Sequence, residues 1–537
     1  MMAQIRKAGQ IHSRPSNVVR AQSNISGALV IGGGPAGLAL SLMLQRRGWT
    51  DITVLEKLPL DFDDSTKSYV YAIDGRGRKF TDLFGLTDNV KDASVEMSSL
   101  KVLTVPVQGH AKSSSLQIKD SSKQVYWLPR KNFLNVLQQR VDAMPPGSIK
   151  LHHNSSCTAI TRNEAGAIQV SAVVDGMPHK FETRLLVGAD GINSLVRQTL
   201  VQWDHSGRFD MHSVDSPSAG LKYKIMTLPP NPTVSKDGSV MVPNSTMGII
   251  QGSGDLRIGL LPVKDQRSNR TGNFILRPEN PFWNLSSKEE LYDALEANFP
   301  QLPVRELISE EAAEAFVTGS GGRFPQPQHC SAMYMLLEDS CLGERTSWDE
   351  SRTAFTFNGE DSQASRSGDR PPSSQLNPHP ASHHASSAAV LLVGDAVHCF
   401  PPDLGQGVNS ALEDVFVLDQ VLDKCEGDLY KALPMYEELR MPDVKALISI
   451  MQFGYPYQYN QDKLGKALWT ANFIVRLGLN KALPALIAPP TFLMVQDAML
   501  SYRRILELEE ETMMWIKVMI GAVVAGVLVV LLTLLIQ

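Results

Sequence analysis

A strand, a glycine turn, a helix and a second strand ending in an acid follow one another in Ala28–Lys57, ALVIGGGPAGLALSLMLQRRGWTDITVLEK. The apolar run Ala28–Ile31 predicts a buried strand, Pro35–Arg47 a helix, and Ile52–Leu55 a second strand. Gly32, Gly34 and Gly37 stand between strand and helix at G-x-G-x-x-G spacing, and Glu56 closes the second strand. Glycines so placed allow a tight turn, close backbone approach to a pyrophosphate, and helix–strand packing. An acid about 20 residues further on takes a ribose hydroxyl. A lone glycine fingerprint is weak evidence; one set between two strands and ending in the acid predicts a Rossmann-type α/β unit.

A second block lies far downstream. Ala389–Asp414 reads AVLLVGDAVHCFPPDLGQGVNSALED. A strand-like run delivers Gly394, Asp395 and Ala396 to a turn. Pro401, Pro402, Gly405 and Gly407 force a tight loop, and a helix is expected from Val408. A carboxylate at a strand end, then glycine amides feeding a helix N-terminus, suits a ligand with a hydroxylated chain at one end and an electron-accepting ring at the other. A third block, Leu185–Arg197 (LLVGADGINSLVR), ends a strand at Asp190–Gly191 before a helix carrying Ser194 and Arg197.

Together the three blocks resemble the flavoprotein aromatic hydroxylases, the single-component FAD monooxygenases. The resemblance runs from about Ala28 to the C-terminus, with one large insertion. It implies FAD as cofactor, with Gly32, Gly34, Gly37 and Glu56 on the ADP half and Asp190 near both cofactors. It also implies Asp395 on the ribityl chain, and Val408 and Asn409 in the loop holding the flavin ring. Arg130, in LPRKNFL, falls where the family places an FAD-contacting arginine. The implied chemistry is hydroxylation by O2 and NAD(P)H through a flavin C4a-hydroperoxide, performed by the cofactor. Pro402, Gly405, Gln406 and Gly407 are then the candidate catalytic residues. Pro402 would shape the oxygen side of the ring, and the helix after Gly407 would aim its amides at the flavin edge that gains charge on reduction. No second dinucleotide fingerprint is present, which fits transient nicotinamide binding.

Composition is compatible. The 537 residues exceed one compact unit, and the net charge of −5 with no basic stripe argues against nucleic acid as a partner. Five scattered cysteines, with no C-x-x-C, read as reduced thiols, Cys399 as an apolar filler in the flavin loop. No metal is expected; His379, His383 and His384 lie in a low-complexity stretch.

The expected organisation starts with a basic tail or transit segment (1–26). A first FAD-binding segment (27–205), a β-rich substrate domain (206–337) and a disordered insertion (338–387) follow. A second FAD-binding segment (388–425), a helical region (426–512) and a transmembrane anchor (513–537) complete the chain. The insertion is too poor in large apolar residues to offset its ordering entropy. Trp515–Ile536 is almost wholly apolar, with Lys517 its one charge, and is long enough to span about 30 Å as a single-pass helix. Membrane attachment follows as an expectation, at an organelle such as the mitochondrial outer membrane or a plastid.

The layout is closest to a membrane-anchored branch of the family that grips an amino-acid carboxylate. Arg76-Gly77-Arg78 after the second strand and the R-M-P-D run Arg440–Asp443 fit that layout. The grip itself is missing. The expected arginine falls near Leu100, a tyrosine near Val105 or Pro106, an asparagine at Gly454, and a second tyrosine near Met494 or Val495. Lys101 or Arg130 would have to substitute, because a buried carboxylate without a cationic partner is costly. A small, hydrophobic, aromatic or prenyl-type substrate is therefore expected. Two alternatives remain open from sequence: an FAD-dependent reductase or dehydrogenase of isoprenoid-type substrates, and a non-catalytic membrane flavoprotein.

Overall fold

The computed structural model describes residues 24–62, 70–97, 99–117, 124–163, 166–337, 388–459 and 461–536. The basic segment before Asn24, the 338–387 stretch with its histidines, and Cys341 lie outside the described residues. Cys157, Cys330, Cys399 and Cys425 are free thiols, and the described residues contain no cluster able to hold a metal ion.

Strand runs that are apolar on both faces must be covered on both faces, and they form the centre of an eight-stranded sheet. Its parallel order is Ala388–Leu392, Met177–Gly188, Asn24–Ile31, Ile52–Leu55, Ile149–His152. Ala28 to Ile31, Ile52 to Leu55 and Ala388 to Leu392 are all buried. Tyr334–Leu337 adds an antiparallel edge to Ala388–Leu392. Helices Pro35–Arg46 and Gly407–Lys424 pack against this sheet, so the three sequence blocks end side by side along it. The first strand begins at Asn24, inside the segment read as basic tail.

A seven-stranded sheet forms the second layer system, in the order Gly322–Arg323, Lys222–Leu228, Arg270–Leu276, Arg257–Leu260, Met247–Gln251, Ser99–Val105, Lys112–Gln117. The last two strands correct the sequence-based boundary. They precede residue 206 yet belong to this sheet, where Ser99–Val105 pairs in parallel with Met247–Gln251. One face carries Met226, Ile250, Ile258, Leu260 and Phe274 into a second core under helices Lys288–Asn298 and Glu310–Thr318. Residues of the other parity, among them Tyr223, Ile249, Arg257, Asn273 and Ile275, are only half-buried.

The helical region comprises Leu429–Ile450, Lys463–Ala482, Thr491–Val495 and Tyr502–Ile536. The helix expected as an anchor is longer than its apolar run. Glutamates 507 and 509–511 belong to the same 35-residue helix as Trp515–Ile536. Tyr502, Ile505, Glu509 and Thr512 face the protein, and the most apolar stretch beyond them is not buried at all. Contacts at its root include Arg476 to Glu509 at 2.7 Å and the Ala488 amide donating to Thr512 Oγ1 at 2.9 Å.

Candidate functional site

The glycine turn divides its labour. Gly32 has φ +107°, and a Cβ there would lie 2.3 Å from the Ala189 carbonyl oxygen. At Gly37 a Cβ would stand 1.9 Å from the Gly32 carbonyl oxygen, so this residue lets helix and strand approach. Gly34 is the opposite case. It starts helix Pro35–Arg46, and a Cβ would meet nothing within 4 Å. Glu56 is held at the turn, Oε2 accepting from the Gly33 amide at 2.7 Å and Oε1 from the Leu58 amide at 2.9 Å.

The other two blocks end on neighbouring parallel strands, Leu185 opposite Ala389. Asp190 Oδ2 accepts from the Leu195 amide at 2.7 Å, while its Oδ1 is buried without a partner. Burial pushes the Asp190 carboxyl up against the hydrogen bonds that would lower it. Arg197 ties the blocks together by donating to the Ala396 carbonyl at 2.8 Å. Within 390–404 only Asp395 and Pro402 are exposed, so the block opens to solvent at those two residues. Asp395 keeps solvent-exposed surface while protein crowds it on its other sides. That crowding pushes its carboxyl up; His398 and Arg130 act to lower it and Asp414 to raise it. Arg130, first residue of helix Arg130–Asp142, is thus within electrostatic reach of Asp395 despite the distance in sequence.

The loop itself is tightly turned. Pro402–Leu404 forms one 3-10 turn, closed by Gly405 at φ +64°. Gly407 opens helix Gly407–Lys424 with no atom within 4 Å of a Cβ position. Val408 packs into the main core. Gln406 and Asn409, read from sequence as flavin-loop residues, turn their side chains inward. Gln406 Nε2 donates to Asp74 Oδ2 at 2.8 Å, and its Oε1 accepts from Tyr502 Oη at 2.6 Å. Asn409 Nδ2 donates to the Ala72 and Gly405 carbonyls at 2.8 and 2.9 Å, and its Oδ1 accepts from the Asp74 amide. Both brace the loop from behind.

Behind them lies a buried charge network that motif reading did not assemble. Arg440 meets Asp414 at 2.7 Å and Glu413 at 3.3 Å; Arg76 meets Glu413 at 3.5 Å. His398 Nε2 lies 2.8 Å from Asp414. Burial works to raise Asp414, but His398 and Arg440 outweigh it and hold it low. Arg76 opens the R-G-R segment and Arg440 the R-M-P-D segment. Their partners sit hundreds of positions away or on another helix, so the segments alone showed no pairing.

The residues expected to hold a carboxylate are absent from the described site. Lys101 is exposed and shares its parity with Leu103 and Val105, which pack toward the second core. Leu100's side chain is outside the described set. At Gly454 a Cβ would lie 3.0 Å from both the Ile450 carbonyl oxygen and Leu404 Cδ1. Met494 and Val495 are buried in one cluster with Leu404, Phe400 and Tyr502.

The arrangement fits FAD on its own terms: open space at Gly34, an acid poised at the turn, an orphaned buried oxygen on Asp190, and exposed Asp395 and Pro402 beside a helix N-terminus. When bound, FAD supplies the redox and oxygen chemistry. The FAD binding domain family matches residues 26–272 and 379–448. Kynurenine 3-monooxygenase of Sus scrofa is 24% identical over 435 residues, covering 79% of this chain and 75% of that protein. The enzyme of the same name from Salinispora arenicola is 25% identical over 441 residues, 79% of each. Among solved structures, p-nitrophenol 4-monooxygenase from Pseudomonas putida superposes with a TM-score of 0.55 at 13% identity, over 91% of this chain and 99% of that one. The anhydrotetracycline hydroxylase of Streptomyces rimosus gives 0.52 at 16% identity, over 88% and 75%; both show a shared fold. With sheet, glycine turn and loop in place, the chain belongs to the FAD binding domain family and is an FAD-dependent monooxygenase.

Proposed function

We propose that the protein is a membrane-anchored, NAD(P)H-dependent FAD monooxygenase that hydroxylates a small hydrophobic aromatic substrate. The observation that carries this reading is the exposed pair Asp395 and Pro402 beside the N-terminus of helix Gly407–Lys424, in a chain whose second sheet keeps a half-buried face with Tyr223, Ile249 and Ile275. The chain's own residues bind and orient. Gly34 and the following helix N-terminus receive the pyrophosphate, and Glu56 and Asp395 receive ribose and ribityl hydroxyls. Pro402 stiffens the loop at the ring, and Gly407 leaves the helix amides free to face it. Phe400 and Leu404 pack on the helical region and exclude water from one side. The relatives named kynurenine 3-monooxygenase support aromatic hydroxylation, while Gly454, Met494 and Val495 argue for a substrate other than an aromatic amino acid.

Membrane attachment rests on Tyr502–Ile536, whose apolar part is not buried. A 35-residue helix is about 52 Å long, enough for a root on the protein and a hydrocarbon crossing of about 30 Å. The test is oxygen-dependent NAD(P)H oxidation by the detergent-solubilised full chain, with hydroxylated product and peroxide measured separately over a panel of hydrophobic aromatics. Stimulated oxidation with product supports the reading; stimulation with peroxide alone, or none at all, counts against it.

A further inference from the structure

Helix Lys463–Ala482 has its two faces reversed from the pattern of a surface helix in water. Trp469, Phe473, Arg476 and Asn480, at spacings of four, three and four, form the face turned to the protein. Trp469 Nε1 donates to the Phe453 carbonyl at 2.9 Å, and its ring lies 4.7 Å from that of Tyr455. Arg476 is buried against Glu509, and Asn480 Nδ2 donates to the Ile487 carbonyl at 2.7 Å. The opposite face carries Leu464, Leu468, Ala471, Val475 and Ala482, with Ile474 beside them, and all six are exposed. Leu464 is 70% exposed, Leu468 63%, Ile474 62% and Val475 57%. A stripe of large apolar side chains so open marks a surface that something covers.

Two observations say what covers it. The first is continuity with the terminal helix. Exposed Leu483 and Leu486 carry the apolar surface on from the end of Lys463–Ala482 toward Ala488. The Ala488 amide donates to Thr512, and Trp515 follows three residues later, about 4.5 Å along the axis. There the terminal helix leaves the protein with its most apolar stretch unburied. The second is charge. No acid occurs between Lys463 and Gln496, while Lys463 and Lys481 are exposed at the two ends of the helix. A second copy seated on the stripe, parallel or antiparallel, would set lysine against lysine. A bilayer surface instead offers acyl chains to the stripe and anionic headgroups to its ends.

Resting on the membrane reading above and deepening it, we propose that helix Lys463–Ala482 lies in the plane of the membrane surface. Its Leu464–Val475 stripe sits at the boundary of headgroups and acyl chains, roughly 5–10 Å deep. Without the terminal helix such a face holds a membrane only reversibly. Its role is to fix how the enzyme body sits on the bilayer, at a point that Trp469 and Tyr455 join to the segment around Gly454 and Leu404.

The experiment places a polarity-sensitive thiol dye on Leu468→Cys, Val475→Cys or Val527→Cys in the FAD-loaded full chain. Each is reconstituted into vesicles of two parts phosphatidylcholine to one of phosphatidylserine. The unsubstituted chain, treated alike, supplies the background from the native thiols, and flavin absorbance reports that each chain is folded. Quenchers are iodide in the water, and lipids with a nitroxide either high on the acyl chain or at its end. Dye at 468 and 475 should shift to the blue, lose its quenching by iodide, and be quenched best by the shallow nitroxide. Dye at 527 should be quenched best by the deep one. Iodide quenching at 468 and 475 with deep quenching at 527 defeats this proposal alone. Shielding from iodide at 468 and 475 without quenching by either lipid means that protein, such as a second copy, covers the face, and overturns it as well. Iodide quenching at 527 defeats the spanning reading, whatever the other two positions show. Should one of the two stripe variants lose FAD, the other decides.

Discussion

The hydroxyl of Tyr502 donates to Oε1 of Gln406 across 2.6 Å, with both side chains buried. Tyr502 is the first residue of the helix that carries the apolar run, and Gln406 lies in the loop beside the exposed Pro402. Arg76 lies 3.9 Å above the Tyr502 ring and donates to the Asp497 carbonyl at 3.1 Å and the Leu500 carbonyl at 2.5 Å. The root of the terminal apolar helix is therefore part of the scaffold of the Pro402–Gly407 loop.

Tyr502→Phe keeps the ring under Arg76 and leaves Gln406 Oε1 buried without its donor, at a cost of about 1–3 kcal/mol. FAD affinity, read by quenching of flavin fluorescence, should weaken by roughly tenfold or more, and membrane sedimentation should not change. An FAD affinity equal to that of the unsubstituted chain would show that the loop does not need this contact.

Gly34→Val should abolish FAD binding while leaving the apo fold intact, because a Cβ at Gly34 meets no protein atom within 4 Å. Gly37→Ala should destabilise the apoprotein itself, since its Cβ would sit 1.9 Å from the Gly32 carbonyl oxygen. Circular dichroism and flavin absorbance on both variants separate the two effects. Full flavin absorbance in Gly34→Val would remove the pyrophosphate assignment.

Two truncations divide the last helix by function. Ending the chain after Trp515 keeps Tyr502, Glu509 and Thr512 on the protein and should give material extractable without detergent that retains FAD. Ending it after Ser501 removes Tyr502 and should lose FAD as well. If the longer fragment still pellets with membranes like the full chain, the exposed apolar residues of Lys463–Ala482, such as Leu464 and Ile474, become the leading attachment.

L-Kynurenine should be a poor substrate. One charge-assisted contact of the arginine type is worth about 1.5–3 kcal/mol, or one to two decades in affinity. Gly454→Asn should not rescue it, because Leu404 and the Ile450 carbonyl already stand 3.0 Å from the added Cβ. The assay is NAD(P)H oxidation with 3-hydroxykynurenine measured directly; coupled product at micromolar half-saturation would contradict this.

Asp403 sets a pH dependence of stability. Its carboxyl is raised from 3.8 to about 7, so between those values the folded state holds a proton that the unfolded state releases. Stability should therefore be unaffected by this group below pH 3.8 and fall as pH rises toward 7, by at most about 1.4 kcal/mol per unit. Asp403→Asn should flatten that decline in denaturant melts at stepped pH. An equally steep decline in the variant would assign it to other groups.

The features of this molecule legible in sequence were those whose signal is local. Gly32, Gly34, Gly37 and Glu56 lie on one strand–helix–strand unit, and Asp395 and Pro402 in one short block between strand and helix, so spacing alone announced them. What stayed hidden depends on partners far away in the chain. Ser99–Val105 has no local feature that sends it to Met247–Gln251. Gln406 and Asn409 sit in the right motif, but their direction is set by Asp74 and Ala72. The acidic run at 507–511 looked like a boundary because its polarity changes sharply, yet a helix needs only one face to dock, and Tyr502, Ile505, Glu509 and Thr512 supply it, the last two through polar contacts.

The parallel sheet has a further consequence, for how the chain is made. The C-terminal half of strand Met177–Gly188 pairs on one side with Ala388–Leu392, which emerges from the ribosome roughly 200 residues later. At about 5–20 residues per second the Leu185–Gly188 edge stays open for on the order of 10–40 s during synthesis. That edge is apolar, and an unpaired apolar edge recruits foreign strands. A newborn chain of this protein thus keeps an apolar strand edge uncovered until the second half of the cofactor domain arrives.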